Sequence, residues 1–376
     1  MKTEDLPVVS SETPSSTTED LTAPRGRVQR RSFLKGLGAA GAALSAGALL
    51  SIKSQGQTSK SPTTLSKGDA AILRFLAAAE LLEADLWQQY AELGGVTPGT
   101  QNPYQNALQQ LDGDGSQYIT SNTLDELSHA EFLNAYLISK GQEPVDLDGF
   151  RNLPSSQATG AQQTGRLTNL MKLHVDTSWF VRYRSQKNPD FGAKFPQAIK
   201  IVNRPALPLT DDDFNDPNHI QAIANTAAFH FAMIEQGGSS LYSAMAQKVR
   251  NAEVLQIVLS IGGDEVAHFL EWMDFAGNAA APPLAPLTDG TLTFPDLNQV
   301  TKPTNLQTSL IFPVPCEFIS PTLPRCAVIR PTNPQGAAMG AVQALTNDQL
   351  FAGQSRQFFQ TLQELATEAD AAQRGF

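Results

Sequence analysis

The chain has 376 residues, a formal net charge of −10, 41% hydrophobic residues and 17% charged residues. A chain of this length and composition can bury a sizeable core in one large domain or two ordinary ones. Its acidic balance argues against nucleic acid or an anionic membrane surface as a partner. The two cysteines form no C-x-x-C pair, which argues against a zinc ribbon or a thiol redox motif.

The N-terminal segment predicts an export signal. Residues 1–29 are polar, and the hexapeptide RRSFLK at 30–35 precedes a run of small apolar residues at 36–52. This order resembles a twin-arginine signal, and the run is too short and weakly apolar for a spanning helix. The alternative is a basic patch beside an alanine-rich helix. We expect residues 1–60 to be signal and linker, with the twin-arginine export machinery as a partner and a periplasmic or secreted mature protein; the cleavage position stays open.

Apolar periodicity predicts two helices in the next part of the chain. The first covers 67–93, with Ser66 as its N-terminal cap and two glycines at its end. The second covers 122–140 and ends at Gly141. A loop rich in proline and glycine is expected at 95–120.

Two further helices are predicted after a long connection. The third begins at Asp216, a cap followed by proline, and runs to about residue 250, with Gly237-Gly238 as a weak point. The fourth covers 252–275 and stops at Gly277. The connection at 142–215 contains one open choice: a short helix at 167–184, or strand or loop at 174–178.

The segment 280–334 is rich in proline, threonine and asparagine. Short strands are expected at 291–294 and 310–314, followed by a terminal helix at 347–373. Cys316 and Cys326 are nine residues apart within this tail. In an exported protein they form a disulfide candidate; buried thiols are the alternative.

One motif occurs twice: Asp125-Glu126-Leu127-Ser128-His129 matches Asp264-Glu265-Val266-Ala267-His268. Because positions i and i+3 share a helix face, the glutamate and histidine of each copy point the same way. Each copy follows an apolar helix that carries its own glutamate, and the series Glu, Glu-x-x-His, Glu, Glu-x-x-His is how a four-helix bundle supplies ligands to two metal ions. The predicted metal ligands are Glu80, Glu126, His129, Glu235, Glu265 and His268.

The charges and donor atoms of this set favour two iron or two manganese ions. Four carboxylates in an apolar core would repel one another, and two divalent cations offset that repulsion. Oxygen and nitrogen ligands without a thiolate suit iron or manganese. Glu80 and Glu235 are expected to bridge the ions, and each Glu-x-x-His pair to bind one.

A ligating histidine usually donates its other ring N–H to a carboxylate. We expect Asp125 to serve His268 and Asp264 to serve His129, each as a hydrogen bond of about 2.8 Å.

Several assignments remain open. Glu83 competes with Glu80 as first ligand, because both lie on the inner stripe of the first helix. Trp87 and Tyr242, each seven residues after a predicted ligand, are packing residues or redox neighbours of the metals. Glu131 and Glu271 are interpreted as solvated or capping charges. The remaining histidines, His174, His219 and His230, have no partner pattern.

These motifs resemble the ferritin-like superfamily, and most closely its exported ferritin-like, desiccation- and stress-related branch. The D-E-x-x-H form is also similar to dimetal carboxylate oxygenases and the ribonucleotide reductase small subunit, which supports roles for Asp125 and Asp264. The resemblance implies an all-α fold: a ferritin-like four-helix bundle at 61–279, with a long crossover at 142–215 between helices 2 and 3. A Pro-rich extension with a fifth helix would follow at 280–376.

The family implies oxygen or peroxide chemistry but not one activity. The first hypothesis is an exported di-iron or di-manganese oxidoreductase that consumes O2 or H2O2, with a manganese catalase as one version. The alternatives are a non-catalytic stress protein of the envelope and iron sequestration. The sequence leaves open whether the protein is an enzyme and whether it forms a homo-oligomer. It also does not identify the metal, the substrate or the reductant.

Overall fold

The computed structural model describes residues 65–179, 197–297, 313–314, 316, 319–328 and 333–375. All of them belong to one compact unit, 60–376. The predicted export signal and almost all of its linker lie outside the described residues. Within the described part of the chain, no helix is long and apolar enough to cross a membrane.

Among the described residues, four long helices form the body of the protein, and three shorter ones accompany them. In chain order the helices are α1 (Lys67–Gly94), α2 (Pro103–Leu111), α3 (Gly115–Ser139), α4 (Pro217–Ala246), α5 (Ala252–Ala279), α6 (Ala337–Asn347) and α7 (Arg356–Ala371). Helix α1 packs mainly against α3, and α4 packs mainly against α5. The predicted all-α bundle is confirmed.

The predicted starts of α1 and α4 are confirmed by their caps. Ser66 Oγ accepts a hydrogen bond from the backbone N–H of Asp69 at 3.0 Å, which satisfies one of the unpaired donors of the first turn. Asp216 caps α4 in the same way, with Pro217 at its first position. Helix α4 continues through Gly237-Gly238 without a break and ends four residues earlier than expected, while α5 runs past Gly277.

The predicted loop at 95–120 is wrong, because it contains α2 and the first turns of α3. Asn102 and Gln105 form a capping box in which each side chain bonds the other residue's backbone N–H. Pro103 follows at the first helical position, where its missing N–H has no cost. An Asn-Pro pair marks a turn as readily as a helix start, and the capping box is the signal that distinguishes them.

The described residues of the crossover between α3 and α4 contain two short strands and two short 3-10 helices. Strand β1 (Leu173–Val175) pairs antiparallel with β2 (Ile201–Arg204), and short 3-10 helices occur at Asp148–Phe150 and Asp211–Phe214. Of the two alternatives left open, the strand is therefore present; the end of the helical alternative, 180–184, lies outside the described residues.

A buried carboxylate attaches the crossover to the bundle. Asp85 of α1 accepts hydrogen bonds from the backbone N–H groups of Leu167 at 3.0 Å and Thr168 at 2.9 Å. It also pairs with Arg151 Nη1 at 2.6 Å. A buried charge with this many donors fixes the position of the segment that contacts it.

The C-terminal extension contains two hairpin-like ladders and two helices. Strand β3 (Leu287–Asp289) pairs with β4 (Leu292–Phe294), which matches the strand predicted at 291–294. Strand β5 (Pro313–Val314) pairs with β6 (Cys326–Ala327); residues 310–312 of the second predicted strand lie outside the described residues.

The single terminal helix predicted at 347–373 is wrong, because α6 ends where that helix should begin. Gln349 and Gly353 adopt positive φ angles of 66° and 97°, which a helix does not allow. Ser355 then caps α7. Helix α7 packs against α1, and α6 packs against α4 and α7, so the extension covers one side of the bundle.

The predicted disulfide between Cys316 and Cys326 is not formed in the structure: both are thiols, one buried and one exposed. The strand register gives the reason. Cys326 is paired with Val314, two residues before Cys316, so the two cysteines are not opposite each other.

Candidate metal centre

The six predicted ligands come together in the middle of the bundle. Helices α1 and α4 each supply one glutamate, and α3 and α5 each supply a glutamate and a histidine one turn apart. The four glutamates are completely buried, and the two histidines are 8% and 6% exposed. The side chains concerned are Glu80, Glu126, His129, Glu235, Glu265 and His268.

Their ligand atoms form two overlapping groups, each within 4.8 Å: one is Glu80, Glu126, His129 and Glu265, and the other is Glu126, Glu235, Glu265 and His268. The groups share Glu126 and Glu265, so these two carboxylates would be within reach of both ions. Glu80 and Glu235, which the sequence suggested as bridging residues, each belong to one group only.

The two imidazoles explain why Glu126 is shared. Its Oε2 lies 3.3 Å from His129 Nδ1, and its Oε1 lies 3.1 Å from His268 Nδ1. Of the two histidines, Glu80 contacts only His129, at 3.4 Å, and Glu235 contacts only His268, at 3.3 Å. One carboxylate therefore reaches both histidines, while the glutamates of α1 and α4 each serve one side.

Both histidines turn Nδ1 inward and Nε2 outward to an aspartate. His129 Nε2 lies 3.2 Å from Asp264 Oδ2, and His268 Nε2 lies 3.4 Å from Asp125 Oδ2 and 3.7 Å from Asp264 Oδ2. The shortest contact of each histidine is with the aspartate of the other motif, as the sequence predicts: His129 with Asp264 and His268 with Asp125. Both distances are longer than the expected 2.8 Å. The side chains of Asp125 and Asp264 are 46% and 44% exposed, so this edge of the centre faces solvent.

Sequence reasoning missed Asn122, which bonds to three groups at the centre. Its Nδ2 donates to Glu126 Oε1 at 2.8 Å and to Glu235 Oε1 at 3.2 Å. Its Oδ1 accepts from Trp272 Nε1 at 2.5 Å. The signal was helical spacing: Asn122 lies four residues before Glu126 and Trp272 four residues after His268, each on the ligand face of its helix.

Tyr242 and Trp87 have different surroundings. The Tyr242 hydroxyl donates to Glu80 Oε1, which fixes one oxygen of that ligand. Trp87 packs against Trp272 and Phe231, with ring centroids 5.2 Å and 4.8 Å apart. Tyr242 is therefore bonded directly to a candidate ligand, and Trp87 belongs to the aromatic packing beside the centre.

Of the two competing glutamates on α1, the structure brings Glu80 into the ligand group and leaves Glu83 outside it. Glu83 is half-buried, and its Oε1 is buried with no hydrogen-bond partner in the described part of the chain. Glu131 is exposed, as expected. Glu271 is half-buried rather than solvated, and burial raises its pKa to about 7.

The three remaining histidines lie outside the ligand groups. His174 Nε2 is 3.0 Å from Asn203 Oδ1, and His219 lies between two aspartates. His230 is completely buried, with Nδ1 at 2.8 Å from the Tyr90 hydroxyl. Burial lowers the pKa of His230 to about 3, so this imidazole is neutral at physiological pH.

The electrostatics of the centre depend on burial and crowding. Burial and then repulsion from Glu235 raise the pKa of Glu126 to about 8. Burial, then Glu126 and the other glutamates, raise the pKa of Glu265 well above its ordinary value. Burial alone would lower the pKa of His129, but its hydrogen bonds with Glu126 and Glu80 raise it to about 10. Without a cation, this cluster therefore holds protons at neutral pH.

These shifts predict how the metal-free protein responds to pH. Glu126 and His129 both have a higher pKa in the folded state, so each stabilises the fold at low pH and loses that effect as pH rises through the folded value. We expect the thermal midpoint of the metal-free protein to fall between about pH 5 and about pH 9, and to fall less with metal bound. Calorimetry across this pH range, once with chelator and once with metal, measures the thermal midpoint as a function of pH in both states. If the two midpoints depend on pH in the same way, the expectation is contradicted.

Asn122 offers a test of how the ligands are held. Asn122→Ala removes the donors to Glu126 and Glu235 and leaves Trp272 Nε1 without its acceptor. Loss of such supporting groups typically weakens metal affinity about 10–100-fold, and we expect a loss of that size. Metal titration against a competing chelator measures it. Gln117→Ala, at an exposed position on the same helix, is the matched control and should bind as the parent protein does.

The residues present fit a pair of metal ions. Both oxygens of Glu265 are buried without a hydrogen-bond partner in the described part of the chain, and Glu80 Oε2 and Glu235 Oε2 are buried beside the imidazole nitrogens of His129 and His268. Within the same residues, no lysine or arginine forms an ion pair with any of the four glutamates. Buried carboxylates without donors are costly, and cations provide the missing partner.

Comparison with known protein families agrees with this geometry. The ferritin-like domain matches residues 68–272, more than half of the 376-residue chain, and this segment contains all six candidate ligands. No curated protein and no solved structure matches the chain. The all-α bundle, its buried glutamate and histidine cluster and the matched segment together place this chain in the ferritin-like domain family.

Proposed function

We propose that this protein holds two iron or two manganese ions and uses them to react with O2 or a peroxide. The observation that carries the proposal is the pair of four-residue groups that share Glu126 and Glu265. Two overlapping groups with two common carboxylates suit two ions side by side. One ion would have Glu80 and His129 as its own ligands, and the other Glu235 and His268.

The choice of metal follows from the ligand atoms. Four carboxylates and two imidazoles are oxygen and nitrogen donors, and neither cysteine is among the groups of described residues that could hold an ion. Such sets favour iron and manganese over metals that prefer sulfur. When bound, a pair of these ions supplies electron exchange with oxygen or peroxide.

The chain's own residues set the protonation of the ligands. Asp125 accepts a hydrogen bond from His268 Nε2–H, and Asp264 Oδ2 lies 3.2 Å from His129 Nε2, so a proton on Nε2 of each ring would leave Nδ1 available to a cation. The Tyr242 hydroxyl and the Asn122 amide each hold one oxygen of a candidate ligand. Ligands held in this way change shape little when an oxidant binds.

The cellular setting is also part of the proposal. The RRSFLK hexapeptide and the apolar run at 36–52 support twin-arginine export to the periplasm or beyond. That route carries folded proteins, which suits a protein that takes up its metals before export. A role in stress or desiccation fits an exported ferritin-like protein that removes oxidants.

Metal analysis followed by activity assays tests the function. We expect about two equivalents of iron or manganese per purified chain, and consumption of O2 or H2O2 that disappears when a chelator removes the metal. Metal without turnover supports a structural role instead, and many irons per chain support sequestration. If the purified protein is fully folded and binds neither iron nor manganese, the proposal is overturned.

A further inference from the structure

A second feature of the protein is a cavity between the bundle and the C-terminal helices. It has a volume of about 80 Å³ and is partly open to solvent. Leu82 of α1, Leu241 of α4, Val342 of α6 and Leu362 of α7 all contribute to its wall. The C-terminal extension therefore completes this cavity, which the four bundle helices alone would leave open.

The lining is almost entirely apolar. Among the described residues of the lining, three are acids, namely Glu83, Asp176 and Asp348, and none is a lysine, arginine or histidine. Asp176 Oδ1 accepts hydrogen bonds from Ser178 N–H at 2.9 Å and Gln197 Nε2 at 2.8 Å. Glu83 differs, because its Oε1 is buried and has no hydrogen-bond partner in the described part of the chain. One polar group on the cavity wall is thus available to a ligand.

The inner wall of the cavity adjoins the candidate metal centre. Gly237 and Gly238 of α4 line the cavity. The position that a Cβ atom would take on Gly238 lies 1.9 Å from Glu265 Oε2. Only a glycine backbone therefore separates the apolar space from a bridging carboxylate. The centre has a polar edge at Asp125 and Asp264 and an apolar edge at this cavity.

We propose that the cavity binds an uncharged organic molecule with an aliphatic chain, its polar end at Glu83 and its chain between α1, α4, α6 and α7. If the proposed function holds, on which this step rests, the bound molecule is the compound on which the metal centre acts. The apolar wall buries the chain away from water, and the unpartnered Glu83 oxygen meets a hydroxyl or similar group. Small-molecule sites of other proteins have the same pattern of apolar walls with a few polar groups.

The charge of the lining decides the ligand class. An anionic chain such as a fatty acid carboxylate would find no lysine, arginine or histidine to pair with among the described residues of the wall. Burial of an unpaired charge is strongly unfavourable. An alcohol of the same chain length avoids that cost, so the site should prefer the alcohol.

The experiment compares 1-octanol with octanoate, at a pH where octanoate is ionised. Isothermal titration calorimetry on the full protein, as purified and after chelator treatment, measures binding of each compound. We expect 1-octanol to bind at least tenfold more tightly than octanoate. The metal content of the same samples separates the ligand proposal from the proposed function. If the purified protein binds octanol but holds no metal, the ligand proposal is supported and the dimetal function is contradicted. If it holds metal but does not bind octanol, only the ligand proposal is overturned.

Two variants locate the binding. Ala344 lines the cavity from α6, and Gln343 is exposed beside it. Ala344→Phe should weaken octanol binding at least tenfold and leave the metal content unchanged, while Gln343→Phe should change neither. Leu345→Ala removes side-chain volume from the same wall and so enlarges the cavity. This variant should shift the binding preference from 1-octanol towards the longer 1-decanol. Equal binding of octanol and octanoate, or an unchanged affinity in Ala344→Phe, overturns the proposal.

Discussion

Replacing Glu265 with glutamine is expected to abolish binding of both metal ions and to make the metal-free protein more stable. Glu265 belongs to both ligand groups, and neither of its oxygens has a hydrogen-bond partner among the described residues. Losing its charge removes a ligand from each ion at once. Loss of Glu80 or Glu235 would affect one ion directly, because each belongs to one group only.

The opposite effect on the metal-free protein follows from the pKa of Glu265. Burial, with repulsion from its neighbours, raises this pKa well above its ordinary value, so ionising Glu265 costs more in the folded state than in the unfolded state. As pH rises above the unfolded value, this cost lowers the stability of the metal-free protein. Glutamine has a similar shape and does not ionise, so Glu265→Gln should unfold at a higher temperature than the parent when both are free of metal.

Metal analysis and thermal unfolding with and without chelator measure both effects. Glu131→Gln, at an exposed position on α3, is the control and should leave the metal content and both midpoints unchanged. Glu235→Gln should retain more metal than Glu265→Gln. If Glu265→Gln binds two ions with parental affinity, the shared position assigned to this carboxylate is wrong.

The ligand set could be predicted because helical spacing is local information. Glu126 and His129 share a face whatever the rest of the fold does, and the same holds for Glu265 and His268. Which carboxylates lie between the ions could not be predicted. That depends on how far each helix rotates about its axis when it packs, and packing is decided by side chains distant in sequence.

The fold shows the same division between local and distant information. The starts of α1 and α4 were predictable because their caps are encoded within four residues. The helix α2 was missed although its capping box is equally local, because the surrounding prolines and glycines favoured a loop. The cavity under α6 could not be expected from the sequence, because it exists only where the extension packs on the bundle.

Gly238 gives the second large effect, and it was interpreted from the sequence only as a weak point in a helix. A Cβ atom at this position would lie 1.9 Å from Glu265 Oε2 and 2.9 Å from Glu265 Cδ. The atoms that clash are the far end of a flexible side chain, so the carboxylate can rotate away while α4 stays intact. Gly238→Ala should therefore give a folded protein whose bridging ligand is displaced.

We expect Gly238→Ala to bind fewer than one metal ion per chain and to keep the helical content of the parent protein. Gly263→Ala on α5 is the matched control, because nothing lies within 4 Å of its added Cβ. Alanine in place of a helical glycine stabilises by about 0.5–1 kcal/mol, so this control should unfold at a slightly higher temperature and bind metal normally. Metal analysis and circular dichroism on both variants decide between two roles for Gly238. Full metal binding in Gly238→Ala means that Glu265 can ligate from another rotamer, whereas loss of metal with retained helix means that the backbone of α4 must leave space for that carboxylate.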